Sequence, residues 1–150
     1  MKKSIILFTL LLFIMGCGSK DGRVICNYQS ENTKDNYKVS SRYIIYYKDN
    51  MVTTVKTEEV VTSKNENVIE KFEDEYTKAY EKNAKKYNGY SYKIDSSSKR
   101  LTVNSTYDYT KIGVKELVKG DSSLKEYVKG NKISKEGMKM FYEKIGATCN

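Results

Sequence analysis

Residues 37–61 read YKVSSRYIIYYKDNMVTTVKTEEVV, and the reading of this stretch decides the fold. In its first half Tyr37, Val39, Tyr43, Ile45 and Tyr47 fall on one side of an alternating pattern. Lys38, Ser40, Arg42 and Lys48 fall mostly on the other. A period of two belongs to a strand with one face covered and one face wet. Asp49-Asn50 is a turn signal, and the Val- and Thr-rich residues 51–61 supply a returning strand. The segment therefore predicts a long antiparallel hairpin.

Working outward toward the C-terminus, the period changes from two to helical. Val68, Ile69, Phe72, Tyr76, Ala79, Tyr80, Asn83 and Tyr87 recur at the spacing of one helix face. Asp74 with Lys78, and Glu81 with Lys85, form favourable pairs four residues apart on the other side. Ser63-Lys64-Asn65-Glu66 fits a capping box, and Gly89 after Asn88 supplies a left-handed stop. The spacing predicts a helix over residues 65–87. Alternation returns in residues 90–95 and again in 101–109, with a turn at Ser96-Ser97-Ser98-Lys99. Leu101, Val103, Ser105, Tyr107 and Tyr109 share one face of that last strand. Residues 110–119 hold a short helical turn, residues 120–132 are loop-like with a helical alternative around 124–128, and Ser134 caps a final helix over 135–145. Met138, Phe141, Tyr142 and Ile145 form the apolar face of that helix, and Gly146 ends it. Residues 23–29 add a first strand upstream.

These elements predict an α+β domain. Its antiparallel sheet has about four or five strands, with one long central helix and a C-terminal helix packed on one face.

The N-terminus has a different character. Lys2 and Lys3 precede an apolar run, residues 5–15, that is shorter than the ~20 residues a membrane-spanning helix needs. It reads as the core of a secretory signal. Ile14-Met15-Gly16-Cys17 then resembles the lipobox at which a bacterial prolipoprotein is cleaved and its cysteine alkylated with a diacylglyceryl group. The chain divides into a signal peptide (1–16), a lipidated tether (17–23) and one domain (24–150). Two or more acyl chains are needed for stable anchoring, since each buried CH₂ contributes ~0.8 kcal/mol. The expected location is the extracytoplasmic face of the cell membrane, with membrane lipid as the first partner through acylated Cys17. With Cys17 assigned to lipid, Cys26 and Cys149 are the cysteines left, and in an exported chain such a pair reads as a disulfide.

Composition narrows the function classes. The formal charge is +8, dispersed among acids along the whole chain rather than gathered in a block. That suits a solvated surface, with an envelope protein or an anionic polymer as a further partner, and no nucleic acid is expected. There is no His, so no zinc-type ligand set is evident. Met138 and Met140 sit on different sides of the last helix, and a metal site is not expected. Glu58-Glu59 and Glu73-Asp74-Glu75 read as charged surface, and no serine has a base beside it, so neither a catalytic residue nor a cofactor is assigned. Lys82, Lys85 and Lys86 near the end of the long helix balance its dipole. Asn104-Ser105-Thr106 matches a glycosylation sequon, idle in a bacterial host. Among Tyr43, Tyr46, Tyr47, Tyr90, Tyr92, Tyr107 and Tyr109, all but Tyr46 follow the core parity. Tyr46 is the candidate for an exposed contact.

Lys86-Tyr87-Asn88-Gly89, Tyr90-Ser91-Tyr92-Lys93, Tyr107-Asp108-Tyr109-Thr110-Lys111 and Lys115-Glu116-Leu117 resemble the YehR-like family of small bacterial lipoproteins. The resemblance implies a lipobox cysteine, here Cys17, ahead of one α+β domain of unestablished molecular function. Asp108-Tyr109 and Glu116-Leu117 carry over as structural landmarks. The resemblance does not itself imply the Cys26 and Cys149 pair. The expected role is a non-enzymatic envelope binding or scaffolding lipoprotein. An accessory subunit of an envelope enzyme or transporter is the alternative, and an envelope hydrolase the least favoured. With the tether as short as residues 18–23, the working surface is expected at the end of the domain farthest from Cys17.

Overall fold

The hairpin at the centre of the sequence is also the centre of the fold. A computed structural model describes residues 21–150; the expected signal peptide, Cys17 and the rest of residues 1–20 lie outside the described residues. Strands β2 (Tyr37–Lys48) and β3 (Met51–Ser63) are joined by Asp49-Asn50, both with positive φ (50° and 63°). A two-residue turn with both centres left-handed matches the right-handed twist of the strands it joins. The register slips between Tyr46 and Tyr47, a bulge that gives β3 one extra residue at the turn end.

Strand β1 (Gly22–Asn32) pairs with β2, and β5 (Arg100–Asp108) with β3. Strand β4 (Tyr90–Ser97) pairs with β5, and the short β8 (Thr148–Cys149) with β1. The sheet is antiparallel throughout, with six strands in the order β4-β5-β3-β2-β1-β8. A separate two-stranded ribbon joins β6 (Val128–Lys129) to β7 (Lys132–Ile133). The sheet is thus larger than expected. The additional strand has two residues, too few to leave a periodic signal. Backbone bonds between Ile25 and Asn150 (3.0 and 3.2 Å) and the disulfide between Cys26 and Cys149 hold it in place.

Three helices and a 3-10 turn (Ser122–Tyr127) cover one face. Helix α1 (Glu66–Lys86) packs on β3, β4 and β5, while α3 (Lys135–Lys144) packs on β1, β2 and β3. The long helix is therefore off-centre. With a diameter of about 10 Å against strand spacings of about 4.8 Å, one helix spans only two or three strands. The other half of the sheet is covered by α3 together with α2 (Val114–Gly120) and the 3-10 turn.

Under α1, Ile69 is buried against Val61, Leu101 and Val103, flanked by Phe72, Tyr76 and Tyr80. Under α3, Met138 and Tyr142 meet Cys26, Tyr43, Ile45 and Val55. Each such aliphatic side chain contributes about 1.5–3 kcal/mol by leaving water.

Two cap details differ from expectation. Helix α1 is capped by Asn65, whose Oδ1 accepts from Asn67 N–H (3.1 Å). Ser63 instead donates to Asn36 C=O (2.9 Å) and accepts from Asn65 N–H (3.0 Å), so its hydroxyl closes the preceding turn. Ser134 caps α3 as expected, accepting from Gly137 N–H (3.0 Å). Ile145, expected on the apolar face of α3, is 48 % exposed because the helix ends at Lys144 and the chain unwinds.

The Cys26–Cys149 disulfide spans 123 residues of sequence. Closing so long a loop in the unfolded chain is worth up to about 5 kcal/mol by the chain-entropy argument. The Cys26→Ala/Cys149→Ala variant is expected to lose about 2–5 kcal/mol in urea unfolding relative to the oxidised protein. An unchanged midpoint, or free Cys26 and Cys149 thiols in the mass of the unreduced protein, would refute a stabilising bridge.

Candidate functional site

Two features stand out: a cavity at one end of the sheet and a carboxyl group inside the covered face. The cavity lies at the end where β1 begins. Its volume is about 800 Å³, and its walls come from the β2–β3 turn, the segment after β5, and the tip of the β6–β7 ribbon. The floor is mainly apolar: Val52, Ile112 and Val114 are buried, with Met51 and Tyr109 beside them, and Thr53, Thr110 and Asn131 also line the cavity. The rim is basic, with exposed Lys48, Lys111, Lys115 and Lys132 against the single carboxylate of Asp49.

Local chemistry builds these walls. Asp108 ends β5 by accepting from Thr110 N–H (3.0 Å) and Thr110 hydroxyl (2.5 Å), which turns the chain sharply. Those bonds, with Lys111 at 3.2 Å, hold the Asp108 carboxyl below its usual range. The landmark pair Asp108-Tyr109 is thus the corner from which the cavity wall departs. Leu117 of the second landmark is buried and fixes α2, while Glu116 is exposed. The opposite wall is set by Lys135 N–H donating to Asn50 C=O (2.8 Å) and by the Met51–Ser134 bridge. Among the described residues, Lys48, Lys115 and Lys132 have no carboxylate within 4.0 Å.

Glu59 corrects the reading of Glu58-Glu59 as surface. Strand parity separates the two. Glu58 is exposed on the open face, whereas Glu59 faces inward on the parity of Val55, Thr57 and Val61. It accepts a short hydrogen bond from the Tyr80 hydroxyl of α1. Burial pushes the Glu59 carboxyl above its ordinary value, and the Tyr80 bond offsets part of that rise. The same burial, with the Glu59 charge adding to it, raises Tyr80 and Tyr76 well above the usual phenol range. The tyrosines continue as a sheet of rings. Tyr80 neighbours Tyr76, Tyr90 and Tyr92, Tyr90 lies 4.4 Å from Tyr107, and Tyr43 stacks on Tyr142 at 4.1 Å. Asn83 donates to the Tyr107 hydroxyl (3.1 Å). Tyr90 Oη lies among Ser105, Asn83 and Tyr107 yet makes no hydrogen bond of good geometry, and burial lifts its pKa to about 12. Glu59 lines none of five cavities around the described residues and keeps some exposure to solvent, so this cluster is a polar seam at the margin of the core.

The other residues singled out from the sequence fall as follows. Tyr46 is half-exposed on the open face with Lys56 Nζ 5.7 Å from its ring centre. Met138 is fully buried and Met140 is 56 % exposed, so the two thioethers do not converge. Lys85 pairs with Glu81 (3.7 Å) and Lys86 lies over the Tyr87 ring (4.9 Å). Asn104 is exposed on the open face. Among the described residues no three or more His, Cys, Asp or Glu side chains come together as metal ligands. None of the described helices is long and apolar enough to cross a membrane.

No family model matches the chain, and no curated protein sequence matches it. Two solved structures share the fold. The chain is similar to the E. coli YehR protein, determined by NMR, with a TM-score of 0.59 and 16 % identity, covering 88 % of this chain and 92 % of that one. It is also similar to a protein from Streptococcus pneumoniae TIGR4, again determined by NMR, with a TM-score of 0.50 and 16 % identity over 100 % and 98 % of the two chains. The YehR-like resemblance read from the sequence thus holds at the level of the fold.

The buried carboxyl makes stability depend on pH in a direction that can be checked. A carboxyl raised in the folded state contributes fully below its unfolded value of 4.5 and loses that contribution as pH rises through the folded value. Glu59→Gln keeps an acceptor for Tyr80 and cannot ionise. Its stability relative to wild type is expected to be greater at pH 8 than at pH 4, by urea titration. The reverse slope would show that Glu59 is stabilised as the anion. Tyr80→Phe is expected to cost about 1–2 kcal/mol by stranding the carboxyl.

Proposed function

We propose that this chain is a lipid-anchored protein of the extracytoplasmic membrane face, acylated on Cys17, and that it works by binding rather than by catalysis. The basic-rimmed cavity at the start of β1 is the observation that carries the binding role. It is concave, floored by apolar side chains and rimmed by lysines, the general make-up of a ligand site. The carboxyl with the raised pKa, which chemistry would recruit first, is engaged by the Tyr80 hydroxyl of α1 and lines no described cavity. The anchor rests on Lys2-Lys3, the apolar residues 5–15 and the Ile14-Met15-Gly16-Cys17 motif.

Cys17 to Asp21, five residues, precede Gly22, the first residue of β1. Even fully extended, five residues reach only about 17 Å. A domain so tethered keeps its β1-start end near the bilayer. The cavity at that end is then the membrane-facing one, contrary to the expectation of a distal working surface.

Growth of the producing cells with an alkyne palmitate analogue is expected to label the wild-type protein and to leave Cys17→Ala unlabelled. The variant is also expected to leave the membrane fraction. Absence of label on the wild type would end the lipoprotein reading, whatever the cavity binds.

A further inference from the structure

We propose that the cavity between the β2–β3 turn and the segment after β5 binds the phosphodiester headgroup of an anionic membrane lipid, with the lipid's glycerol and first methylenes on the apolar floor. The source of this ligand rests on the anchored reading above; the chemistry of the site does not.

Three observations carry it. The first is charge. Lys48, Lys111, Lys115 and Lys132 share one concave surface whose lining includes Asp49, with the carboxylates of Asp21 and Asp108 beside it. Lys111 shares its charge with Asp108 at 3.2 Å, and no described carboxylate stands within 4.0 Å of the other three. Four ammonium groups from three separate segments outnumber those carboxylates, and an anion offsets the excess. Elsewhere the lysines are interleaved with acids, as in Asp74–Lys78, Glu81–Lys85 and Lys139–Glu143.

The second is polarity within the cavity. A site for free phosphate has polar groups at its base. Here the buried part of the lining is Val52, Ile112 and Val114, with Met51 and Tyr109 beside them, and Thr53, Thr110 and Asn131 supply its polar share. A charged rim over an apolar floor complements a molecule that is itself charged at one end and apolar at the other.

The third is position. Gly22 pairs with Tyr47, and Tyr47 pairs with Val52 on the cavity floor. Two strand spacings amount to about 10 Å, so the cavity opens beside the point where the chain enters the domain. Asp49 N–H donates to Asp21 Oδ1 (3.0 Å), which ties the rim to the entering chain directly.

The test uses the full-length, membrane-extracted protein in a neutral detergent, with binding read from backbone amide shifts in NMR. The probes are dihexanoyl phosphatidylglycerol below its micelle concentration, dihexanoyl phosphatidylcholine, glycerol 1-phosphate, a glycerol-phosphate oligomer and inorganic phosphate. Saturable shifts of residues 110–115 and 131–132 with phosphatidylglycerol, weaker ones with glycerol 1-phosphate and none with phosphatidylcholine are the expected result.

Lys115→Glu/Lys132→Glu is expected to weaken that binding tenfold or more, since each lysine near an anionic lipid is worth about fivefold. Lys64→Glu/Lys99→Glu has the same net charge change at the opposite end of the sheet and is expected to leave it unchanged. Equal loss in both variants would mean net charge alone is sensed and would overturn the site. Equal binding of phosphatidylcholine would overturn its anionic character. Inorganic phosphate or the oligomer binding as tightly as the lipid would overturn the lipid assignment. Lipid binding with no palmitate on Cys17 would sink the anchor and leave the site standing, so the two readings fail separately.

Discussion

The period of a β-strand leaves no freedom within β3. Once Val55 and Val61 face the helices, Thr57 and Glu59 between them must face the helices too. A one-residue slip would bring Glu59 to water and drive Lys56, Glu58 and Val60 inward, with both neighbouring strands following. The sheet therefore accepts one buried carboxyl as the condition for burying everything else on that face. Its cost is reduced locally by the Tyr80 hydroxyl, which arrives from α1 as a donor.

This constraint explains why the core is built from tyrosine. The chain has 14 tyrosines and no tryptophan or histidine. A tyrosine fills core volume with its ring and brings a hydroxyl to whatever polar group the strand parity has left inside. Tyr80 does so for Glu59, and Tyr107 receives Asn83. The arrangement is not free of cost, since Tyr90 Oη ends buried without a partner. Leucines at these positions would pack as well but would leave Glu59 with no donor.

What could be read from the sequence follows the strength of local periodicity. The β2–β3 hairpin, α1 and the β4–β5 pair are long enough for their periods to be unambiguous, and each lies within a few residues of its expected bounds. The disulfide partners followed from counting cysteines. Strand β8 was not legible, because two residues have no period and only the Cys26–Cys149 register creates them. Glu59 was legible in principle: the parity of Val55 and Val61 extends to it. The adjacent Glu58 disguised it as part of an acidic surface pair. The cavity was not legible at all. Lys48, Lys111, Lys115 and Lys132 are scattered through the sequence in runs that each look like ordinary solvated surface, and only the tertiary path gathers them.

That gathering follows from strand direction. Strand β1 starts at the end of the sheet where β2 finishes and β3 starts, because each pairs antiparallel to the last. Strand β5 is antiparallel to β3, so it must finish at that same end. The chain leaves β5 at Asp108 with half the sheet still uncovered, since α1 spans only the β4-β5-β3 side. Residues 109–134 have to travel from there to the β1-β2 side, and they begin beside the β2–β3 turn. The opposite end holds the close turn of β4–β5, the short β1–β2 connection and the entry to α1, with no comparable length of irregular chain. In a sheet of this topology, then, the concavity built by that crossing segment is formed next to Gly22, at the end where the chain enters the domain.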